Sequence, residues 1–555
     1  MRSPAASAVD RASHWQRLGV LVLLIVLSLA SNAYRELVQP DEGRYAEIPR
    51  EMQVSGDWVV PQLNGLPYVE KPPLQYWATA AAYAVLGVDD WVSRLWNLAL
   101  GLAGVVLVYR TGRSLWGERA GEFAALILLS SPLYMLVGQL NLLDMGLTFF
   151  LTAALACFVR AQRDAASVAE RRHGMWLCWV NVGLAFLQKG LVGFAIPFLV
   201  LVVYSLLQRD TGIWKRLHLG AGTLIVGAFS LPWVVALGLR DIAYAQFFLI
   251  HEHFTRFLTT EHHRNEPVWF FGAVVVVACL PWTALMLRSA WAALRANHRV
   301  DRDAGTALAL WAVVVLGFFS LSGSKLVPYI MPCVPPLALL AGRALDQQAR
   351  RVDLAVVFAA VLCLAALLLG AQNIAALVMQ DGPNKAAYLS VGHWARAGGV
   401  VAAVAAALAY WSWQRNQLRV AMACIGLGLH LAWMTFLGGA NIMATTRGVP
   451  GAAAIIASKL SPGESFYCVG AYLQSLTFEL GRTCQLVEYT GELQLQFDRA
   501  GTSRPQTFEE FAQRWRAEGA GVALLHKKFL PHLTAAGLKS RIVAEYPDYV
   551  IVEHP

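Results

Sequence analysis

Long apolar stretches separated by short polar segments occupy the chain as far as Leu437. A bilayer core requires about 20 consecutive apolar residues in a helix, and most of these stretches approach that length. The pattern therefore predicts about thirteen membrane-spanning helices. The candidate spans are Leu18–Tyr34, Trp91–Tyr109, Ala120–Leu136, Leu142–Val159, Gly174–Leu187, Leu191–Leu207, Leu217–Leu239, Pro267–Leu287, Ala304–Leu321, Leu326–Ala341, Val352–Gly370, Ala397–Trp413 and Val420–Leu437.

The pattern changes after the last span, where charges become frequent and apolar runs become short. Four such runs are typical of buried strands, and Thr507–Ala517 carries aromatic residues at helical spacing. We expect an all-α polytopic membrane domain over residues 1–438, followed by a soluble α/β domain over residues 439–555 that docks directly on it. The four runs are Ser465–Val469, Cys484–Tyr489, Val522–Leu525 and Tyr549–Val552.

Basic residues fall at every second connection, for example Arg110, Arg113 and Arg119, then Arg160 and Arg163. Short cytoplasmic loops hold such clusters, so we expect a cytoplasmic amino terminus and an outer location for residues 439–555. The net charge of +9 is then mainly a topology signal. A nucleic-acid partner is not expected, because its binding surface would need one continuous basic patch.

The loop at residues 35–90 is long and rich in aromatic residues, and we expect helices lying along the outer membrane surface. It contains the segments PDEGRYAEIPREM, which starts at Pro40, and YVEKPPLQYW, which starts at Tyr68. These place charges of both signs at the level of lipid headgroups. The candidate residues are Asp41, Arg44, Tyr68, Glu70 and Lys71.

Four more polar residues lie at the outer ends of predicted spans: Asp144, Lys189, Lys325 and Tyr329. Ionisable groups in a membrane are costly and indicate function by default. Each has a plain alternative, because an isolated lysine extends to headgroups and an aspartate caps a helix amino terminus. The functional interpretation predicts that one outer cavity collects them.

Phosphate recognition would explain the basic residues, because negative charge in a low-dielectric site is strongly stabilised by lysine and arginine. Arg44, Lys71, Lys189 and Lys325 are the candidate phosphate ligands, and Asp41 is the candidate catalytic carboxylate. By contrast, Glu47, Arg50 and Glu51 are expected to form ordinary pairs on a helix surface.

The histidine-rich segment His251–Phe270 lies in another predicted outer loop. We expect it to bind a headgroup without metal. The alternative is a divalent metal such as zinc, because imidazole and carboxylate are ordinary zinc ligands. Its first candidate ligands are Glu70, His251 and His253, and the same segment also offers Glu252, His262 and His263. No cofactor is otherwise expected.

Of the eight cysteines, six lie within predicted spans, where a thiol is usually a packing residue. Cys468 and Cys484 both lie in the outer segment. An oxidising compartment would allow a disulfide between them, and two free thiols are the equal alternative.

The quoted motifs, together with NLLDMGL, LQKGLVG, HHRNEP and SKLVPYIMP in this order, resemble those of the bacterial lipid A 4-amino-4-deoxy-L-arabinose transferases. That family comprises inner-membrane glycosyltransferases of the C fold, related to protein O-mannosyltransferases. The resemblance implies an undecaprenyl-phosphate-linked amino sugar as donor, lipid A phosphate as acceptor and membrane lipids as surroundings. It also implies resistance to cationic antimicrobial peptides such as polymyxin, since the sugar lowers the negative surface charge.

By the same resemblance, Asp41 matches the catalytic aspartate and Asp144 a second important carboxylate. The predicted substrate-binding and phosphate-binding set is Arg44, Tyr68, Glu70, Lys71, Lys189, Lys325 and Tyr329.

Two other functions stay open at this point. A transferase of the same fold acting on protein or glycan hydroxyls would need Asp41 as a proton acceptor. A lipid or sugar transporter would place polar groups at the bilayer midplane in two related halves, which this pattern does not favour.

Overall fold

The computed structural model describes residues 22–208, 211–255, 266–296, 304–348, 351–378, 385–439, 451–461, 463–493 and 506–555, with the single residues 19, 441 and 449. The first part is a helical bundle with a polar insertion between its first helices. Its first elements are α1 Val22–Ala33, α2 Asp41–Ser55, β1 Gln62–Leu63, β2 Leu66–Pro67, α3 Leu74–Leu86, α4 Asp90–Ser93, α5 Leu95–Trp116, α6 Glu118–Ser130, α7 Pro132–Gly138, α8 Leu143–Ala161, α9 Val168–Lys189 and α10 Val192–Gln208.

The bundle continues with short helices between longer ones. These elements are α11 Ile213–Arg216, α12 Leu219–Arg240, α13 Ile242–Gln246, a π-helix Phe247–Thr255, α14 Phe270–Ala278, α15 Thr283–Arg295, α16 Ala304–Leu321, a 3₁₀-helix Val327–Cys333, α17 Val334–Gln348, α18 Arg351–Val378, α19 Lys385–Gln414 and α20 Leu418–Leu437.

Within the described residues each predicted span overlaps with helix, but the number of full crossings is smaller. Within the described residues, 7 helices are long and apolar enough to cross a membrane, or up to 9 if each bent pair counts as one span. The bent pairs are α6 with α7, at 67°, and α14 with α15, at 116°. The prediction of about thirteen spans is therefore not confirmed, although a multi-pass membrane bundle is.

The carboxy-terminal part forms a five-stranded mixed sheet, in the order β4-β3-β5-β7-β6. The β3 strand is parallel to both neighbours, whereas β7 is antiparallel to β5 and β6. Four of these strands match the four predicted runs. The elements are α21 Ala452–Lys459, β3 Phe466–Val469, α22 Gln474–Leu480, β4 Gln485–Val487, a 3₁₀-helix Gly491–Leu493, α23 Phe508–Glu518, β5 Val522–His526, a 3₁₀-helix Lys527–Phe529, α24 Leu530–Ala535, β6 Arg541–Glu545 and β7 Tyr549–Glu553.

The two faces of this sheet have different partners. Alternate residues such as Tyr467 and Leu525 pack under α23 and α24, around Phe511. The residues between them, including Phe466 and Leu524, share a core with α2 and α22. The sheet therefore covers α2, and ten of the fifteen residues of α2 are buried, charged ones included.

Candidate active site

The amino terminus of α2 carries Asp41 and is fixed by a buried ion pair. Asp41 and Glu42 occupy its first turn, where carboxylates face the partial positive charge of the helix end. The Glu42 carboxylate lies 2.8 Å from Nε of Arg94 and accepts the backbone N–H of Asn141 at 2.9 Å. Since Arg94 directly precedes α5 and Asn141 precedes α8, these contacts hold Asp41 in place against the bundle.

Arg44 lies between two carboxylates. Its Nη1 lies 3.2 Å from Oδ1 of Asp41, and its Nη2 forms an ion pair with Glu492 of the sheet domain. Gln474 donates a hydrogen bond to the other carboxylate oxygen of Glu492. The Asp41 side chain is 47% exposed and that of Arg44 is 15% exposed, so the aspartate is the more accessible of the two.

Buried tyrosines line this cluster. The Tyr68 hydroxyl donates to Oε2 of Glu70 at 3.0 Å. Burial raises the pKa of Tyr45, and the carboxylates of Asp41, Asp144 and Glu70 raise it further. Tyr45 therefore lies within electrostatic reach of three predicted site carboxylates. These carboxylates belong to separate parts of the sequence, and the fold places them in one region. Burial, together with Glu70, raises the pKa of Tyr68 as well, so this phenol remains a hydrogen-bond donor at neutral pH.

A cavity of about 360 Å³ adjoins the cluster at Glu70. Its polar lining includes Glu70, Lys71, Lys189, Glu252 and Tyr329, together with Ser322 and Ser324. The rest of the lining is apolar and comes from the start of α10, the residue just before it, and the end of α16. Its apolar lining residues include Leu191, Val192, Phe194, Phe318 and Phe319.

Each lysine of the cavity has a carboxylate partner. Lys71 Nζ binds the Glu252 carboxylate and also donates to the Glu70 carbonyl at 3.2 Å. Lys189 Nζ lies 2.6 Å from Oδ1 of Asp144 and 4.7 Å from the centre of the Tyr329 ring. Asp144 is not the cap of its helix, since Leu142 is the cap residue of α8. The alternative that Lys189 extends to lipid headgroups stays untested.

A chain of buried amides sets the position of the Lys189–Asp144 pair. Gln188 Nε2 donates to Gln75 Oε1 at 2.8 Å, and Gln75 Nε2 donates to Asn141 Oδ1 at 2.7 Å. Gln188 also approaches the carbonyl of Leu143 at 3.3 Å. Because Gln188 precedes Lys189 and Leu143 precedes Asp144, the chain ties both ends of the ion pair to α3.

Other predicted residues lie outside the cavity lining that the structure describes. Lys325 is buried, and its Nζ donates to the Ser322 carbonyl at 2.7 Å, immediately behind the cavity wall. Asp41, Arg44 and Tyr68 form the neighbouring cluster, which joins the cavity through the Tyr68–Glu70 hydrogen bond. The catalytic and phosphate-binding roles of these residues stay predictions.

The metal prediction is also untested. In the described part of the chain, no group of three or more histidine, cysteine, aspartate or glutamate residues is arranged to hold a metal ion. His251 Nδ1 lies 3.9 Å from Glu252, which is the partner of Lys71. The side chain of His253 and residues 256–265 lie outside the described residues.

The pair Glu47–Arg50 forms as predicted, but it is buried and not on a helix surface. Arg50 Nε lies 2.6 Å from Glu47, and its Nη1 donates to the carbonyl of Gly481 at 3.1 Å. Glu51 accepts the backbone N–H groups of Asn64 and Gly65 at 2.6 and 2.8 Å. The surface expectation was wrong because the sheet domain covers this side of α2.

Sequence reasoning did not assign site roles to Glu42, Glu492 or the amides Gln75, Gln188 and Asn141. It considered Glu252 only among metal ligands, whereas the structure pairs it with Lys71. The adjacency of Glu42 to Asp41 and of Gln188 to Lys189 was the available signal. Glu492 gave none, because only the tertiary fold brings it to Arg44.

Comparisons with known proteins identify relatives of this chain. Residues 13–248 match the family model of dolichyl-phosphate-mannose-protein mannosyltransferases, and residues 452–554 match the aminoarabinose transferase C-terminal domain. An undecaprenyl phosphate-α-4-amino-4-deoxy-L-arabinose arabinosyl transferase of Pseudomonas paraeruginosa is 37% identical over 353 residues. One of Pseudomonas aeruginosa is 39% identical over 319 residues. The matched regions span 62% and 56%, respectively, of both chains, so this chain covers less than two thirds of these relatives.

Solved structures extend the similarity over nearly the whole chain. The crystal structure of ArnT from Cupriavidus metallidurans bound to undecaprenyl phosphate is 33% identical, with a TM-score of 0.91 over 98% of both chains. The apo form of that protein gives a TM-score of 0.89. This likeness confirms the predicted fold class, a polytopic helical domain of the glycosyltransferase C fold followed by an α/β domain. The chain therefore belongs to the family of aminoarabinose transferases.

Proposed function

We propose that this protein is a glycosyltransferase that moves 4-amino-4-deoxy-L-arabinose from undecaprenyl phosphate to a phosphate of lipid A. The reaction takes place at the outer, periplasmic side of the bacterial inner membrane. Family membership supports the donor, because the curated relatives carry that donor in their names and the Cupriavidus structure holds undecaprenyl phosphate.

The observation that carries this proposal is the cavity at the end of α9, the start of α10 and the end of α16, which combines ionic and apolar side chains. Its lining contains two lysines and two glutamates as well as leucine, valine and phenylalanine side chains. An amphiphile with an ionic headgroup and a hydrocarbon chain matches such a lining. The volume of about 360 Å³ lies within the range of about 300–1,000 Å³ typical of ligand sites.

The lysines would act on the leaving group. Breaking the sugar–phosphate bond returns negative charge to undecaprenyl phosphate, and ammonium groups already held in place stabilise that charge without reorganisation. Lys71 and Lys189 are held by Glu252 and Asp144 at the cavity wall. When phosphate enters, each lysine exchanges part of its contact with a carboxylate for one with phosphate oxygens.

Asp41 would act on the sugar or on the acceptor. A phosphate acceptor is already ionised near neutral pH, so the reaction needs little general-base help. A carboxylate beside the sugar stabilises the positive charge that develops at the reacting carbon. The half-exposed position of Asp41 supports this role, and the Glu42–Arg94 pair keeps it stationary.

A hydroxyl acceptor on protein or glycan is the second candidate, favoured by the match of residues 13–248 to the protein mannosyltransferase model. An Asp41→Asn variant distinguishes the two candidates. If Asp41 serves as a base, the variant loses its proton acceptor and transfer to a hydroxyl fails. Transfer to a phosphate needs no proton acceptor, so it is reduced only by the loss of the negative charge of Asp41.

The direct test is mass spectrometry of lipid A from cells with and without this protein. We expect a mass increase corresponding to the amino sugar only in cells that contain it, and loss of that increase with Lys71→Met. Unchanged lipid A in both strains, combined with sugar transfer to a hydroxyl acceptor by the purified protein, would contradict the proposal in favour of the second candidate.

A further inference from the structure

Cys468 and Cys484 lie in the same core of the sheet domain, although sixteen positions separate them in sequence. Cys468 lies on β3 opposite Leu486 of the parallel strand β4, and Cys484 directly precedes β4, two residues before Leu486. Both side chains are buried in the core that the sheet shares with α2, and both carry free thiols. Burial and the neighbouring Cys468 thiol raise the pKa of the Cys484 thiol.

The backbone at Cys484 is held on both sides. Asn64 donates from its side-chain amide to the Cys484 carbonyl at 3.0 Å and accepts the Cys484 N–H at 2.9 Å. Asn64 is in turn fixed by Glu51 of α2, which accepts its backbone N–H. Contacts from the first outer loop therefore fix the backbone position of Cys484 in this core.

The segment between the two cysteines contains α22, the helix that contacts α2. Gly43 packs so closely here that a Cβ would lie 2.6 Å from the backbone nitrogen of Ser475. At the other end of α22, the Gly481 carbonyl accepts from Arg50. A bond between the two sulfur atoms would close a loop around this contact helix.

From this placement we infer that Cys468 and Cys484 form a disulfide in the mature protein, closing the α22 loop that docks on α2. The inference uses the outer location proposed above, since an oxidising compartment is required. A disulfide-bearing oxidant accepts two electrons and two protons by thiol–disulfide exchange and becomes a dithiol. The two thiols lose their hydrogens as the S–S bond forms. Because both side chains are buried, the exchange occurs before the domain finishes folding.

Peptide mapping of the full-length protein tests this inference. The protein is isolated without reductant, unfolded in denaturant with an excess of maleimide, and digested. We expect a cross-linked peptide containing Cys468 and Cys484, which separates into two peptides after reduction, whereas the cysteines of the membrane bundle are alkylated at once. Alkylation of both Cys468 and Cys484 before any reduction would overturn the inference.

A second measurement compares the effect of reductant on the Tm of the wild-type protein and of a variant without the two thiols. Reductant should lower the Tm of the wild-type protein and leave that of the Cys468→Ser/Cys484→Ser double variant unchanged. An equal response of both proteins would count against the disulfide. The lipid A assay on the same preparations separates the two proposals, because it reports sugar transfer whether or not the sulfur atoms are bonded. If the thiols are reduced and transfer is intact, only the disulfide inference fails.

Discussion

The ion pair between Lys189 and Asp144 makes a sharp prediction, because its two members should respond differently to substitution. Replacement of Lys189 by methionine removes a ligand for phosphate and leaves the Asp144 carboxylate, 12% exposed, without its cation. Replacement of Asp144 by asparagine leaves the lysine able to meet phosphate. The double variant removes both charges at similar volume.

The magnitudes follow from the geometry. Unit charges 2.6 Å apart attract by about 6 kcal/mol at an effective dielectric constant of about 20, and desolvation offsets part of this. Removal of one partner from a buried pair costs about 3–5 kcal/mol, because the other charge remains uncompensated. We therefore expect each single variant to lose about 3 kcal/mol of stability, and the double variant to lose clearly less than their sum.

For activity, a charge-assisted hydrogen bond to phosphate contributes about 2 kcal/mol, or about 30-fold in kcat/KM. Lys189→Met should exceed that loss, because the unpaired carboxylate also repels the anionic substrate. Asp144→Asn added to Lys189→Met should then recover part of the activity. No recovery would indicate that Asp144 itself takes part in the reaction.

The assays are thermal unfolding in detergent and steady-state transfer with all four proteins. The pair Lys527–Glu545, at 2.8 Å with side chains 33% and 65% exposed, is a matched control on the outer domain. An exposed pair contributes at most about 1 kcal/mol. The stability losses of the two single variants of Lys527 and Glu545 should therefore add up to nearly the loss of the double variant. Additivity at Lys189 and Asp144 as well would refute the reasoning.

Three further substitutions test the supporting contacts. Burial and the Glu47 charge raise the pKa of Glu51 from 4.5 to about 7, so the folded state holds a proton that the unfolded chain has released. Stability should fall as pH rises from about 5 to about 7, and Glu51→Gln should flatten that decline in thermal unfolding measured against pH. Gln75→Leu removes one hydrogen-bond partner from each of the buried amides of Gln188 and Asn141 and should cost about 1–3 kcal/mol, read as a lower Tm together with a lower kcat. Glu42→Gln leaves Arg94 buried without its anion and should cost about 3–5 kcal/mol, also measured as Tm.

The spans of the bundle were predictable because apolar length alone is a strong signal. The bends could not be predicted from hydropathy, because average hydropathy does not change where the backbone hydrogen bonds of a helix are interrupted. Pro132 at the start of α7 marks one break, and Pro281 lies between α14 and α15. Proline lacks the N–H that would continue the hydrogen-bond ladder, and this local chemistry was the available signal. The edge strand Arg541–Glu545 was missed because its mostly exposed residues lack a buried alternating face.

Several charged residues that line the cavity, such as Glu70, Lys71 and Lys189, could be named from the sequence, but their partners could not. Lys71 and Glu252 are 181 residues apart, and no local periodicity relates them. The same is true of Arg44 and Glu492, which belong to different domains. The sequence shows which few charged residues lie at the ends of apolar spans, where an ionised group is energetically unfavourable. Only the tertiary packing says which opposite charge compensates each of them.

The pairing of lysines with carboxylates explains how such a cavity persists in a membrane before any substrate arrives. Four ionised groups at the end of an apolar bundle would be unfavourable if separate, and the pairs Lys71–Glu252 and Lys189–Asp144 reduce that cost. The same pairing means that an entering phosphate competes with a carboxylate for each ammonium. The same two ion pairs, Lys71–Glu252 and Lys189–Asp144, therefore affect both the stability of the protein and its affinity for phosphate. This is why substitution of the acidic partner and of the basic partner should act in opposite directions on phosphate affinity while both lower stability.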